Sequence, residues 1–206
     1  MRICKIQEEK KHRFRIVLED EQTLLVTERE LIAFSLRPGG TLTQTQIEEM
    51  KASAQESEAK AQAARIIGSR PLSKGELLQK LLEKGQSEEA AQSAVDQLEA
   101  AGAIDDARYA ATLARHYAVR GYGPRKIEEE LRRRGIDRAL WEKALEEGPV
   151  PEERAAKYLM KKWGAGGIPQ EPKERTRILN SLRRRGFSWN DIESGLALYG
   201  EWMEEQ

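Results

Sequence analysis

Apolar residues in the first 27 positions tend to recur every second residue, and beyond them every third or fourth. Phe14, Ile16 and Leu18 alternate with other residues, and Leu24 and Val26 repeat that period after an Asp20-Glu21 turn. This is the pattern of half-buried strands. With Ile3 to Ile6 as a first strand, it predicts a small antiparallel sheet, too small to be stable unless a helix packs on it. Thr27-Glu28-Arg29-Glu30 reads as the capping-box start of such a helix, ending near Leu36. Arg37-Pro38-Gly39-Gly40 then breaks the chain, and Thr45-Gln46-Ile47-Glu48 predicts a second capping box. It opens a long Ala/Glu/Gln/Lys-rich helix with a thin apolar face that runs to about Gly68 and links the N-terminal module to the first of three similar units.

From there the pattern repeats. Leu81-Leu82-Glu83-Lys84-Gly85-Gln86-Ser87, Leu131-Arg132-Arg133-Arg134-Gly135-Ile136-Asp137 and Leu182-Arg183-Arg184-Arg185-Gly186-Phe187-Ser188 share one design, their glycines about fifty residues apart. Upstream of each glycine an apolar pair at i and i+4 marks one helix face: Leu77 and Leu81, Ile127 and Leu131, Ile178 and Leu182. The glycine supplies the left-handed conformation that ends a helix, and Ser87, Asp137 or Ser188 caps the next one. Ala91, Ala94 and Val95 then correspond to Trp141, Ala144 and Leu145, and to Ile192, Gly195 and Leu196.

Further stops complete the units. Gly68, Ser73-Lys74-Gly75-Glu76, Asp105-Asp106, Gly121-Tyr122-Gly123-Pro124, Pro149-Val150-Pro151 and the Gly164 to Pro172 loop bound the remaining helices. The expected fold is mainly all-α. It is a tandem array of three three-helix repeats (56–103, 104–148 and 149–206 with a C-terminal tail) behind a small antiparallel β/α module (1–55).

Overall charge is balanced, with 35 basic and 35 acidic residues. The distribution is not: about 18 basic and 11 acidic residues lie between Arg120 and Gly186, a local excess near +7. A basic half suits nucleic acid or an acidic protein surface, while overall neutrality argues against indiscriminate DNA coating. The lone Cys4 excludes an internal disulfide, and with only His12 and His116 a zinc site is not expected. No apolar run of membrane-spanning length and no signal-peptide hydrophobic region occurs, so the cytosol is the expected compartment.

Four segments, taken in order, resemble the RecX family of RecA regulators: Arg70-Pro71-Leu72-Ser73-Lys74-Gly75-Glu76-Leu77, Gly102-Ala103-Ile104-Asp105-Asp106-Ala107-Arg108-Tyr109-Ala110, Gly123-Pro124-Arg125-Lys126-Ile127-Glu128-Glu129-Glu130-Leu131 and Leu182-Arg183-Arg184-Arg185-Gly186-Phe187. Together they cover about residues 60 to 200, and the N-terminal segment is similar to the extension of longer members. The resemblance implies tandem three-helix repeats that lodge in the groove of the RecA nucleoprotein filament, across neighbouring protomers. It also implies restraint of RecA's ATPase, coprotease and strand-exchange activities, by a monomer with no cofactor. An array whose repeats contact mainly their neighbours leaves extended surface for such a partner.

The arginine runs are the candidate contacts, and their surroundings differ. Glu128, Glu129 and Glu130 stand four residues before Arg132, Arg133 and Arg134, predicting three intrahelical ion pairs and a solvated, neutralised face. Leu179, Asn180 and Ser181 precede Arg183, Arg184 and Arg185, so that run has no carboxylate at this spacing. With Lys161, Lys162, Lys173, Arg175 and Arg177 it forms the predicted surface for filament DNA phosphates or an acidic face of RecA. Arg120, Arg125 and Lys126 are further candidates, and weak contacts to single- or double-stranded DNA are compatible with the same charges.

Other features have plainer readings. Asp105-Asp106 is a helix cap rather than a metal pair. Tyr109, Tyr117, Trp163 and Trp189 are expected in the core, Trp202 against the C-terminal tail, His116 on the surface, and Cys4 is expected to be inert. No phosphate loop, nucleophile triad or metal motif suggests an enzyme. The alternative is direct DNA binding, because a helix, a glycine corner and a capped helix also describe a helix-turn-helix.

Overall fold

The alternating N-terminal pattern forms β1 (Ile3–Glu8), β2 (Arg13–Leu18) and β3 (Thr23–Thr27), an antiparallel sheet in the order β1-β2-β3. Phe14 pairs with Val26 and Ile16 with Leu24, so one face carries the apolar set; Ile3, Ile16, Leu18, Leu24 and Val26 are buried. A computed structural model describes residues 1–9, 13–169 and 171–204; His12 lies outside them.

The sheet is covered by α1 (Glu28–Ala33) and the start of α2 (Gln44–Ile67). Helix α1 stops short of Leu36 because Ser35 turns to φ 48°, although the Leu36 side chain is still buried. Helix α2 starts two residues before the predicted box. Thr43, not Thr45, is the N-cap and exchanges hydrogen bonds with Gln46. That register places Leu42 and Ile47 on either side of the cap, both buried in the sheet's core, as in a hydrophobic staple. Hydrophobic contact decides between two boxes that read almost alike.

Glu30 is the buried polar centre of this module, 1% exposed. Its carboxylate accepts from the Thr27 amide at 2.5 Å and the Thr27 hydroxyl, and from the hydroxyls of Ser53 at 3.1 Å and Ser57 at 2.9 Å on α2. Burial pushes its pKa up, but the bonds from Thr27, Ser57 and Ser53 outweigh it and hold the value below the ordinary one.

Helix α2 runs on without a break. Its buried Ala59 and Ala63 belong to the stretch that packs along α4 (Glu88–Ala100), where Ala90, Ala91 and Ala94 are also buried. Between them in sequence lies α3 (Lys74–Glu83), with Leu77 and Leu81 buried. The chain divides into two compact units: Met1–Pro71 with Leu77–Ala103, and Leu72–Glu76 with the residues from Ile104 on.

In the second unit the helices are α5 (Asp106–Val119), α6 (Pro124–Arg133), α7 (Trp141–Leu145), α8 (Pro151–Trp163), α9 (Pro172–Arg184) and α10 (Trp189–Glu204). Among the described residues there are thus ten α-helices and one small sheet, a mainly all-α chain of three-helix repeats behind a β/α module. The helix after Asp137 is a 3-10 turn, Arg138–Leu140, that leads into the five-residue α7. Ile127 and Leu131 are buried in one cluster, Ile178 and Leu182 in the next, and the corner glycines take φ 83°, 64° and 89° at Gly85, Gly135 and Gly186. Tyr109, Tyr117, Trp163 and Trp202 pack against these clusters. Trp189 does not: it is 55% exposed and its indole N–H donates to Glu193 at 2.7 Å. As the first residue after the Ser188 cap, it points away from the face that buries Ile192.

The second and third corners are each gripped by a helix start from earlier in the chain. Gly123 donates its amide to Arg185 O at 2.8 Å, and Arg125 donates to Gly186 O at 3.0 Å. A Cβ on Gly123 would lie 2.5 Å from the backbone of Gly186 and Phe187. The start of α3 meets the second corner the same way. The Ser73 hydroxyl donates to Arg134 O, the Lys74 amide donates to Asp106 at 2.9 Å, and a Cβ on Gly75 would lie 2.8 Å from Gly135 O. Asp105 caps its own helix, while Asp106 caps α3.

Gly123 has φ −80° and ψ 170°, which any residue adopts, so Gly123→Ala tests the close approach alone. The added methyl is expected to cost about 1–3 kcal/mol, read as a lower melting temperature; an unchanged melt would show that the corner is not tightly seated. Glu30→Ala is expected to cost about 1–3 kcal/mol at neutral pH by leaving buried hydroxyl and amide donors unpaired. Because Glu30's pKa is depressed in the fold, its contribution is complete above the ordinary carboxylate value and disappears as pH falls through the depressed one. Urea titrations of both proteins at descending pH should therefore converge.

Candidate functional site

The predicted basic residues divide according to how the corners are built. Helix α5 ends at Val119 with Arg120 as its C-cap, and the carbonyls of its last turn form a negative pole. Two arginines from the third repeat donate to carbonyls at the C-cap and in the two residues just beyond it. Arg185 donates through Nη1 to Arg120 O and Gly121 O, both at 3.2 Å, and Arg154 donates through Nη1 to Tyr122 O at 3.0 Å. The Arg185 guanidinium also lies 4.3 Å from the Tyr158 ring centre and 5.2 Å from that of Tyr122. Arg185 therefore belongs to the joint between the repeats and not to a freely exposed run.

Arg134, at the same place in the second corner, behaves alike. It lies over the Tyr109 ring at 5.7 Å and reaches Glu76 at 3.3 Å and the Tyr109 hydroxyl at 2.5 Å. The predicted neutralised face is thus revised. Of the anticipated pairs, Glu130 and Arg134 approach to 3.9 Å, but Glu130 is buried and its nearer partner is Arg133 at 2.7 Å. Burial raises the Glu130 pKa, and hydrogen bonds from Arg133 and Tyr117 with the charges of Arg133 and Arg134 bring it below normal. Glu129 turns to Lys126 at 2.7 Å, and Arg132 lies 5.4 Å from the Trp141 ring centre. Side-chain packing redirects charges that simple helical spacing would pair.

The remaining candidates sit on the outside. Arg120, Arg125, Lys161, Lys162, Lys173, Arg175, Arg177, Arg183 and Arg184 are exposed, while Lys126 is half-buried. Arg177 is 3.9 Å from Glu174, and Lys162 lies over Trp163 at 4.6 Å and Tyr158 at 5.8 Å. The cations leave a mark on Tyr158. Burial raises its phenol pKa, but hydrogen bonds with Ser181 and Arg185 and the charges of Lys162 and Arg185 bring it below its ordinary value. Arg183 and Arg184, the last two residues of α9, are exposed, next to Arg185 at the C-cap.

Sequence reasoning missed Arg154 and the distant partners of Glu76 and Asp106. Arg154 stands four residues before Tyr158 on the inward side of α8, a polar residue at an apolar-face position. Glu76 and Asp106 look like cap residues of their own helices, and their partners lie 58 and 32 residues away in sequence. Among the described residues no group of three or more His, Cys, Asp and Glu side chains is placed to hold a metal ion, and no helix is long and apolar enough to cross a membrane.

The division of the third arginine run is testable by single substitutions. Arg185→Ala removes two charge-assisted bonds to helix-end carbonyls and two ring contacts, and is expected to cost about 1–3 kcal/mol. Arg183→Ala and Arg184→Ala should each stay within about 0.5 kcal/mol of the parent. Equal losses at all three positions in chemical denaturation would contradict the assignment.

Comparison with known proteins finds the same three-helix units elsewhere. Residues 59–98 match the family described as RecX, first three-helix domain, and residues 105–145 match RecX, second three-helix domain. The chain is 34% identical over 140 residues to the regulatory protein RecX of Pseudomonas putida (strain GB-1), spanning 68% of this chain and 88% of that one. It is 37% identical over 129 residues to the regulatory protein RecX of Stenotrophomonas maltophilia (strain K279a), spanning 62% and 78%. A crystal structure of regulatory protein RecX superposes with a TM-score of 0.73 at 26% identity, covering 94% of this chain and 98% of that one. RecX from Lactobacillus salivarius shares the fold, with a TM-score of 0.62 at 20% identity over 72% of this chain and 99% of that one. With two matched three-helix domains in order, and a relative at 34% identity of which 88% is covered, the chain belongs to the RecX family.

Proposed function

We propose that this chain is a cytosolic regulator that binds the RecA nucleoprotein filament as a monomer and restrains RecA's ATPase, coprotease and strand-exchange activities without catalysing a reaction itself. The observation that carries the reading is the set of cations left over once the repeats are built. Arg183 and Arg184, with Lys162, Lys173, Arg175 and Arg177, are exposed on the third repeat, whereas the neighbouring Arg185 is consumed by the fold. In this reading the repeats lie in the filament groove across neighbouring protomers, and the exposed set meets DNA phosphates or acidic RecA surface.

Simple helix-turn-helix binding to DNA is disfavoured by the helices that succeed the corners. A recognition helix presents its first residues to base edges. Here α4 begins with Glu88 and Glu89, and α10 carries Asp191 in its first turn, while after the second corner Arg138 opens only a 3-10 turn and the five-residue α7. Carboxylates at these positions would face a polyanion.

The test adds the protein to cognate RecA with single-stranded DNA and ATP, following ATP hydrolysis and strand exchange. Inhibition with filament binding is expected; neither binding nor inhibition would overturn the reading. If Arg183 and Arg184 meet phosphates, replacing both with Glu weakens filament affinity and flattens its salt dependence by about 0.7–0.9 in log–log slope for each phosphate no longer neutralised. Tight, sequence-selective binding to DNA without RecA would favour the alternative.

A further inference from the structure

Between the C-terminal end of α5 and the side of α8 lies a cleft of about 550 Å³, lined by Ala118 to Gly121, Pro149, Arg154, Lys157, Tyr158 and Lys161. Its lining combines two chemistries. The charged side chains are all cations: Arg120, Arg154, Lys157 and Lys161. The rest is largely apolar, with Val119 left 77% exposed beside Pro149 and the Tyr158 ring.

Arg154 is the unusual member. It is only 4% exposed, its Nε has no hydrogen-bond partner, and among the described residues no carboxylate lies within ion-pair distance of it. One contact is accounted for, Nη1 on Tyr122 O at 3.0 Å. Burial lowers the Arg154 pKa, outweighing the Asp191 and Glu152 charges that act on it from beyond ion-pair distance, so a carboxylate at close range would further stabilise the buried cation. Lys157 is partly occupied by Glu153 at 3.3 Å, so Arg120 and Lys161 are the freer cations of the rim.

We propose that this cleft is a docking site for an acidic, partly apolar segment of a protein partner, a carboxylate settling over Arg154 and a neighbouring apolar side chain against Val119, Pro149 and Tyr158. Carboxylate is favoured over nucleic-acid phosphate by the exposed apolar wall. A peptide that alternates acidic and apolar side chains covers that wall, whereas a sugar-phosphate backbone would leave it against charged, hydrated groups. The site differs from the α9 surface, and it rests on the regulatory reading only for which protein presents the segment.

The experiment titrates the full-length chain, at low salt, into three fluorescent probes: a short peptide alternating Glu and Leu, its Gln and Leu counterpart, and an oligothymidylate. Anisotropy should show the Glu peptide binding at least about tenfold more tightly than the Gln peptide. Arg154→Met, and separately the rim variant Arg120→Gln with Lys161→Gln, should each remove that preference while changing oligothymidylate affinity far less. If Arg154→Met fails to fold, the rim variant, built only on exposed side chains, decides. Equal binding of the two peptides overturns the proposal, as does a loss confined to oligothymidylate, which would assign the cleft to phosphates. A parent chain that restrains RecA yet shows no preference for the Glu peptide removes the cleft proposal alone. One that binds the Glu peptide through Arg154 but leaves RecA unaffected removes the filament reading alone.

Discussion

Gly123 lies so close to Gly186 that a methyl group on Gly123 would overlap the backbone of Gly186 and Phe187, and the absence of side chains lets the Gly123 amide reach Arg185 O at 2.8 Å. The contact solves two problems together. A helix that starts at Pro124 has amides without intrahelical partners, and a helix that ends at Arg184 has carbonyls in the same position. Butting one end against the other satisfies both, provided nothing larger than hydrogen stands between them. Gly75 against Gly135 repeats the arrangement with side chains added, Ser73 donating to Arg134 O and Asp106 accepting from the Lys74 amide. Van der Waals contact at the glycines and hydrogen bonding at the helix ends are inseparable here. A change that spoils one releases the other.

The same joints explain why arginines in one run have different roles. The last arginine before the second and third corner glycines points back toward an earlier part of the chain. Arg185 meets the carbonyl end of α5 and stacks on Tyr122 and Tyr158, while Arg134 meets Glu76 and Tyr109. A guanidinium suits that position because it donates in plane and stacks through its face, which an ammonium cannot do. The earlier arginines of each run, one or two residues back around the helix, project outward. Within three consecutive arginines, the first two are exposed and the last is built into a joint.

This allocation bears on function. After the fold has taken the cations it needs, the third repeat keeps exposed cations on α9 and at the cleft beside α8. The second repeat leaves less, since Glu129 and Glu130 hold Lys126 and Arg133. The N-terminal module works differently. Its centre is a buried carboxylate surrounded by hydroxyl and amide donors, a self-contained polar cluster that ties α1 to α2.

Much of the fold was legible because it rests on local rules. The two-residue period of Phe14, Ile16 and Leu18 marks a strand, the Leu77/Leu81, Ile127/Leu131 and Ile178/Leu182 pairs mark buried helix faces, and glycine followed by a cap marks a corner. Each of these is decided within a few residues by backbone sterics and by which face must leave water. Where two local rules competed, tertiary contact chose: Thr43 over Thr45 because Leu42 and Ile47 could then be buried together, and exposure for Trp189 because Ile192 took the inward face. The sites were less legible for a related reason. Charge spacing along one helix suggested neutral pairs at Glu128 to Arg134 and an open run at Arg183 to Arg185, but the partners of Arg134, Arg185, Asp106 and Arg154 come from elsewhere in the chain. By itself the sequence determined the elements, their order and the threefold corner, since these arise from short-range backbone and hydrophobic preferences. Only the tertiary structure decided which cations are consumed by helix ends and which remain exposed, because a charge's role depends on neighbours that local spacing does not specify.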